Sequence, residues 1–317
     1  MIRNSIRNAL LRVADRLSPR DVPLDSAWEV VALPLPPDTS KPYIDVIRGT
    51  PTGDVWVLGT AYSRSIGELR FACRSQGDGF ELVANTPAGI GVSVSPIGHT
   101  DAWFAGRNGT IAHYDGTQWT RHVFERFYFD FVDILARDGS DIWLAAAGSR
   151  VVHFDGRRFR VDEPDVLAGS STHVLWGTGT ELLVPVNAEA QPTSVARLGA
   201  SGTWSHEPLG AGGATLIHGS GASDIWILSR REGGWHFDGE AWTRHATGPG
   251  PFWSLHVAAP DHAYAAGDAG ALARWDGTRW STSSITTDRL VSVYRQRDGR
   301  LLAGGSQLYR ERTPPRP

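Results

Sequence analysis

Apolar residues along this chain fall in short alternating bursts cut by Gly, Asp and Pro, and the bursts recur in one order. Alternation at every second position marks a half-buried strand, and the punctuation marks tight turns. One phrase carries the recurrence: Asp-x-Trp, a Gly-rich gap, then Asp-Gly-x-x-Trp. It reads TDAWFAGRNGTIAHYDGTQW from Thr100 to Trp119 and SDIWLAAAGSRVVHFDGRRF from Ser140 to Phe159. It returns as SDIWILSRREGGWHFDGEAW from Ser223 to Trp242 and DHAYAAGDAGALARWDGTRW from Asp261 to Trp280.

Anchoring on the first Trp gives Trp56, Trp103, Trp143, Leu183, Trp226, Tyr264 and Leu302, seven positions spaced 38 to 47 residues apart. The second anchor gives Phe80, Trp119, Phe159, Trp204, Trp242 and Trp280. An apolar burst before each first anchor aligns Ile47, Val94, Ile134, Val174, Ile217, Leu255 and Val293 in one column. Each unit therefore reads as four strands, a to d. In the second unit they are expected at 91–96, 102–106, 110–114 and 119–124. Four-strand units at a period near forty residues predict an all-β, seven-bladed β-propeller.

The seventh unit ends at RLLAGGSQLYRER, before any strand d. The segment SAWEVVALP (26–34) has the strand-d pattern, so Trp28 to Leu33 is expected to complete blade seven. The expected organisation is a helical appendage over 1–20, a propeller over 21–312 with its closing strand at 26–33, and a disordered tail at 313–317. The repeats resemble bacterial propeller repeats of the Asp-box (BNR), two-component-regulator and WD-like types across about residues 26 to 312. They depart from an Asp-box, in which Asp and Trp stand one residue further apart. The resemblance implies the fold; its families hold enzymes, assembly factors, sensors and lectins, so it assigns no role.

Composition narrows the classes. A net charge of −3 lacks the basic footprint of a nucleic-acid binder. The single Cys73 excludes an internal disulfide framework. No apolar run is long enough to span a bilayer and no signal-peptide pattern opens the sequence, so cytoplasmic residence is the expectation.

The repeated chemical residues read as structure. Asp115, Asp155, Asp238 and Asp276 precede Gly in equivalent turns of separate blades. His113, His153 and His236 share one column, and His122 and His245 another. No metal-ligand spacing, P-loop, nucleophile elbow or dinucleotide fingerprint occurs, so no metal and no cofactor is expected. The inner strands differ, because they converge on a central channel. Arg48, Asp133, His173, His218, His256 and Tyr294 are the channel candidates. They would suit a small ligand, or a lyase or hydrolase with His as base and Arg stabilising developing negative charge. The competing reading is a polar channel whose side chains bond one another.

Two further segments suit recognition. HVFERFYFDF (122–131) sets Phe124, Phe127, Tyr128 and Phe129 between blades two and three, either as exposed partner-binding aromatics or as inter-blade core. The b–c excursions TAYSRSIGEL in blade one and VNAEAQPTSV in blade four extend the same face. In residues 1–20, Ile2, Ile6, Leu10, Val13 and Leu17 form one apolar stripe edged by arginines. Such a helix docks on a partner, lies on a membrane surface or caps its own propeller. The leading expectation is a non-catalytic interaction scaffold, a subunit or accessory factor tethered through this helix. A channel lyase or hydrolase is the alternative, and a glycan-binding lectin using Trp faces the second.

Overall fold

The computed structural model describes residues 24–50, 52–123, 129–170, 174–186, 193–210, 213–229, 233–248 and 250–313. The helix expected over 1–20 and the tail at 314–317 lie outside the described residues, as do Phe124, Phe127, Tyr128 and His173. The described residues form seven four-stranded antiparallel sheets, six of them meanders of consecutive strands, and together they make a seven-bladed propeller.

Blade two shows how the local code works. Its strands are Ile90–Pro96, Ala102–Gly106, Thr110–Tyr114 and Trp119–Val123, close to the expected spans. The turn into strand d is built by Asp115, whose Oδ1 accepts the N–H groups of Thr117 and Gln118, both at 2.9 Å. Gly116 follows at φ 96°, a conformation that disfavours any residue with a Cβ. Asp155, Asp238 and Asp276 accept the equivalent N–H groups two and three residues on. These bonds hold the carboxyls below their ordinary range; at Asp276 the Thr278 hydroxyl contributes most, ahead of the N–H groups, and brings it to about 2.

The first Trp of the phrase packs between blades. Trp56 meets Phe104 of blade two at 5.5 Å and Trp226 meets Trp275 of blade six at 4.8 Å, both edge-to-face. The two indoles are fully buried. The stacked column of blade cores therefore arises from the anchors themselves.

In blade seven, Leu290–Arg295, Leu301–Gly305 and Leu308–Glu311 are followed in the sheet by Trp28–Val30 from the other end of the chain. Trp28 pairs with Glu311 and Val30 with Tyr309. Arg310 Nε donates to Glu29 Oε1 at 2.8 Å across this pair, and Trp28 is 3% exposed. Regular pairing stops at Val30, short of Leu33.

Blade four departs from the expected register. In the other blades the aliphatic column pairs with the residue after the first anchor, as Ile134 does with Leu144 and Ile217 with Ile227. In blade four Trp176 pairs with Leu183, which puts Leu175, not Val174, in the column. Leu175 is buried at 5% exposure. A one-residue slip exchanges the faces of a strand. The position preceding the column is therefore Val174.

Candidate functional site

The outer histidines belong to the framework. Nε2 of His113, His153 and His236 lies 2.8 Å from Asp101, Asp141 and Asp224, the Asp of each Asp-x-Trp. A carboxylate only accepts, so each imidazole donates from Nε2. The rings stack on Trp103, Trp143 and Trp226 at 4.4, 3.9 and 4.6 Å. In blade four Arg197 takes the histidine's place and pairs with Glu181 at 2.7 Å. Second-anchor indoles are tied as well: Trp119 donates to the Ala84 carbonyl and Trp204 to Asp162, both at 2.9 Å. Cys73 is buried, which raises its thiol to about 12 and leaves it unreactive.

Along the channel, side chains of one inner strand accept backbone N–H groups of the next blade. Ser292 Oγ accepts from Ile47 at 2.8 Å, Ser95 Oγ from Ala136 at 2.8 Å and Ser254 Oγ from Val293 at 3.1 Å. Asp133, 3% exposed, accepts from Ser93 Oγ at 2.7 Å and from Leu175 N at 3.1 Å. Asp133 thus clasps three blades, and its carboxylate is not free for acid–base work. His218 Nδ1 accepts from Val257 N at 3.0 Å. These ties match the reading in which channel side chains bond one another.

The channel candidates occupy two levels rather than one. Ser93, Asp133 and Ser292 precede the aliphatic column, whereas Arg48, His218, His256 and Tyr294 follow it. The second group comes together at one mouth of the channel. His218 meets His256 edge-on at 5.0 Å, and His256 meets Tyr294 at 4.7 Å. Tyr294 then covers Gly49, where a Cβ would lie 2.1 Å from its ring. Its hydroxyl donates to the Thr50 carbonyl at 3.4 Å. Arg48 reaches across to Asp133 at 3.4 Å. Both imidazoles are held below their ordinary value by burial, His256 to about 3 with the charges of Arg48 and Arg295 adding to the effect. Both rings are therefore neutral at neutral pH. Arg295, the last residue of the blade-seven inner strand, and Gln296 and Arg297 of the turn after it also line this cavity of about 440 Å³. They were not singled out from the sequence, although the turn YRQRDGR is the most basic of its kind.

The opposite face carries the b–c and d–a loops. Here the b–c hairpin of blade one stands out, with strands Val55–Ser63 and Gly67–Gln76. Tyr62 and Ile66 at its tip are 62% and 65% exposed. The segment before blade one braces this tip. Asp38 Oδ2 accepts from Ser63 Oγ and Ser65 Oγ, each at 2.7 Å, and Tyr62 N donates to Ser40 Oγ at 2.9 Å. A cavity of about 350 Å³ lies at the hairpin's base, lined by Glu68, Arg70, Pro87, Val92 and Arg107 among others. Between blades two and three the aromatic loop gives a different result. Phe129 is buried at 8% exposure and packs edge-on against Phe131 at 5.5 Å. Phe129 is therefore inter-blade core and not a contact surface, because the strand it leads into points it inward.

Among the described residues no helix is long and apolar enough to cross a membrane. Among the same residues no three His, Cys, Asp or Glu side chains gather as a metal site. The sequence matches no protein-family model and no curated protein. Solved structures do match along nearly the whole chain. The structure described as YCF48 bound to D1 peptide superposes with TM-score 0.67 at 14% identity, covering 92% of this chain and 99% of its own. A streptogramin B lyase gives 0.65 at 15%, covering 89% and 96%. U3-55K gives 0.66 at 10%, covering 92% and 100%. At such identities the likeness is one of fold.

Proposed function

We propose that this chain is a non-catalytic interaction propeller that presents its b–c and d–a face to a protein partner. The observation that carries the reading is the blade-one hairpin: Tyr62 and Ile66 are exposed on a tip that Asp38 and Ser40 hold in place. A braced tip loses little side-chain and backbone freedom on binding, so its apolar area counts toward affinity. The cavity beside it offers a recess for a partner side chain, with Arg70 and Arg107 at its edge. The bonded state of Asp133 and of the outer His–Asp pairs supports a framework role for residues that would otherwise suggest catalysis.

In this reading the apolar stripe of residues 1–20 supplies a second contact, tethering the propeller within an assembly. A cytoplasmic location is part of the same proposal. Propellers bound to a peptide, as the YCF48 structure is described, make a peptide-like partner segment a natural occupant of the face. The test is co-purification from the native cell. The wild-type chain should retain a stoichiometric partner that Tyr62→Ser with Ile66→Ser loses, while the melting temperature stays unchanged. Equal retention by both proteins would refute the reading.

A further inference from the structure

The channel mouth on the other face has a composition that protein contact does not explain. Its described lining holds three arginines, Arg48, Arg295 and Arg297, with His218, His256 and Tyr294, and no Asp or Glu. Asp133 engages a single terminal nitrogen of Arg48 at 3.4 Å, and the Arg48 side chain keeps 35% exposure. Asp54, whose charge is felt at Tyr294, is already held by the hydroxyls of Thr50 and Thr52 at 3.1 and 2.8 Å and by His99 at 3.0 Å. Arg295 Nε and Gln296 Oε1 are buried with no hydrogen-bond partner among the described residues, although the Arg295 side chain also bonds Tyr264 and feels the charge of Asp261. Among those residues, too, no group hydrogen-bonds the ring of His256, whose imidazole is half-buried. A buried donor or acceptor left unpaired costs about 1–3 kcal/mol, so such a cluster is retained most readily where something else satisfies it.

We propose that this mouth is a binding site for a small oxyanion, a ligand with a phosphate or carboxylate head group. Arg48 and Arg295, on the adjoining blades one and seven, would supply charge-assisted hydrogen bonds, and His256 of blade six a further donor once an anion sits there. The cavity volume of about 440 Å³ fits a metabolite rather than a protein segment. A bound anion also offsets the arginine charges that add to burial in keeping His256 neutral, so binding and its protonation would reinforce each other. Gln296 Oε1 is an acceptor, suited to a hydroxyl on the ligand's body.

Calorimetric titration of inorganic phosphate and of citrate into the full chain tests this, at an ionic strength held constant with sodium chloride. One saturable site per chain is expected for at least one probe, and which probe saturates identifies the head group. Arg48→Gln, which keeps an amide donor for Asp133, should weaken binding by about tenfold or more. His256→Asn should weaken it too, and serves if the first variant fails to fold. Absence of a saturable site with both probes, or equal binding by wild type and the folded variants, would overturn the proposal. Either result leaves the hairpin reading untouched, because the two sites lie on opposite faces.

Discussion

Trp226 is fully buried and meets four rings: His236, His245, Trp275 and Trp280. Truncating it opens a cavity between two blades, so Trp226→Ala should cost about 3–5 kcal/mol in denaturant unfolding. A loss within 1 kcal/mol, to order of magnitude, would contradict the packing role. Asp133 is tested differently. Asp133→Ala strands the Leu175 N–H and should destabilise by about 1–3 kcal/mol. The histidines set a pH dependence. His256 is lowered to about 3 and His218 well below its ordinary value, both by burial first, and burial lowers His122 and His245 as well. The unfolded chain protonates these rings near about pH 6.5 while the native ring does not. Their contribution is thus complete above about pH 6.5 and declines as pH falls toward the folded values. Lowered carboxyls such as Asp38 and Asp276 add their own loss only below about pH 4. Melting temperature should therefore fall already between about pH 6.5 and 4.5, and His256→Asn should flatten that slope. An unchanged slope in the variant would rule this origin out.

At the scale of the strand and hairpin, the blade-one excursion owes its order to a segment outside the blade. Asp38 accepts the Ser65 N–H at 3.1 Å in addition to the two hydroxyls, which lowers its carboxyl to about 2. Asp38→Ala should speed amide exchange at Ser65 and Ile66 while the melting temperature holds. Unaltered protection there would show that the tip is braced by its own strands. The same scale shows what a sequence discloses. In blade two the residues from Ala102 to Tyr114 form two short, largely buried runs on either side of a glycine turn, and the strand limits follow from that punctuation alone. In blade four Val174, Leu175 and Trp176 are apolar in succession, so alternation has no unique phase and the sequence pattern places the register one residue early. Tyr62 and Ile66 lie in an excursion whose length is plain in the sequence, but their exposure depends on the brace from Asp38. Channel residues were legible as a set because seven inner strands must converge. Arg48, His218, His256 and Tyr294 also share one column in the sequence, but the cavity they line with Arg295, Gln296 and Arg297 is not legible there, because it depends on how separate blades meet.

For the whole molecule, the pairing of Trp28–Val30 with Leu308–Glu311 joins distant parts of the chain in one sheet. Deleting residues 1–34 should lower the melting temperature of the entire ring in a single transition, and Trp28→Ala alone should cost about 3–5 kcal/mol. A deletion variant that melts like the wild type would deny the pairing any closing role. The seven sheets otherwise serve as a rigid frame with two unlike faces, one ending in the basic channel mouth and the other in the hairpin. The central claim is that the hairpin face meets a protein. A photo-crosslinking residue placed at Ile66, and in a second protein at Thr278 on the opposite face, tests it most directly in the native cell. One discrete adduct is expected from position 66 and none of that mass from position 278. No adduct from position 66, or the same adduct from both, would contradict the account.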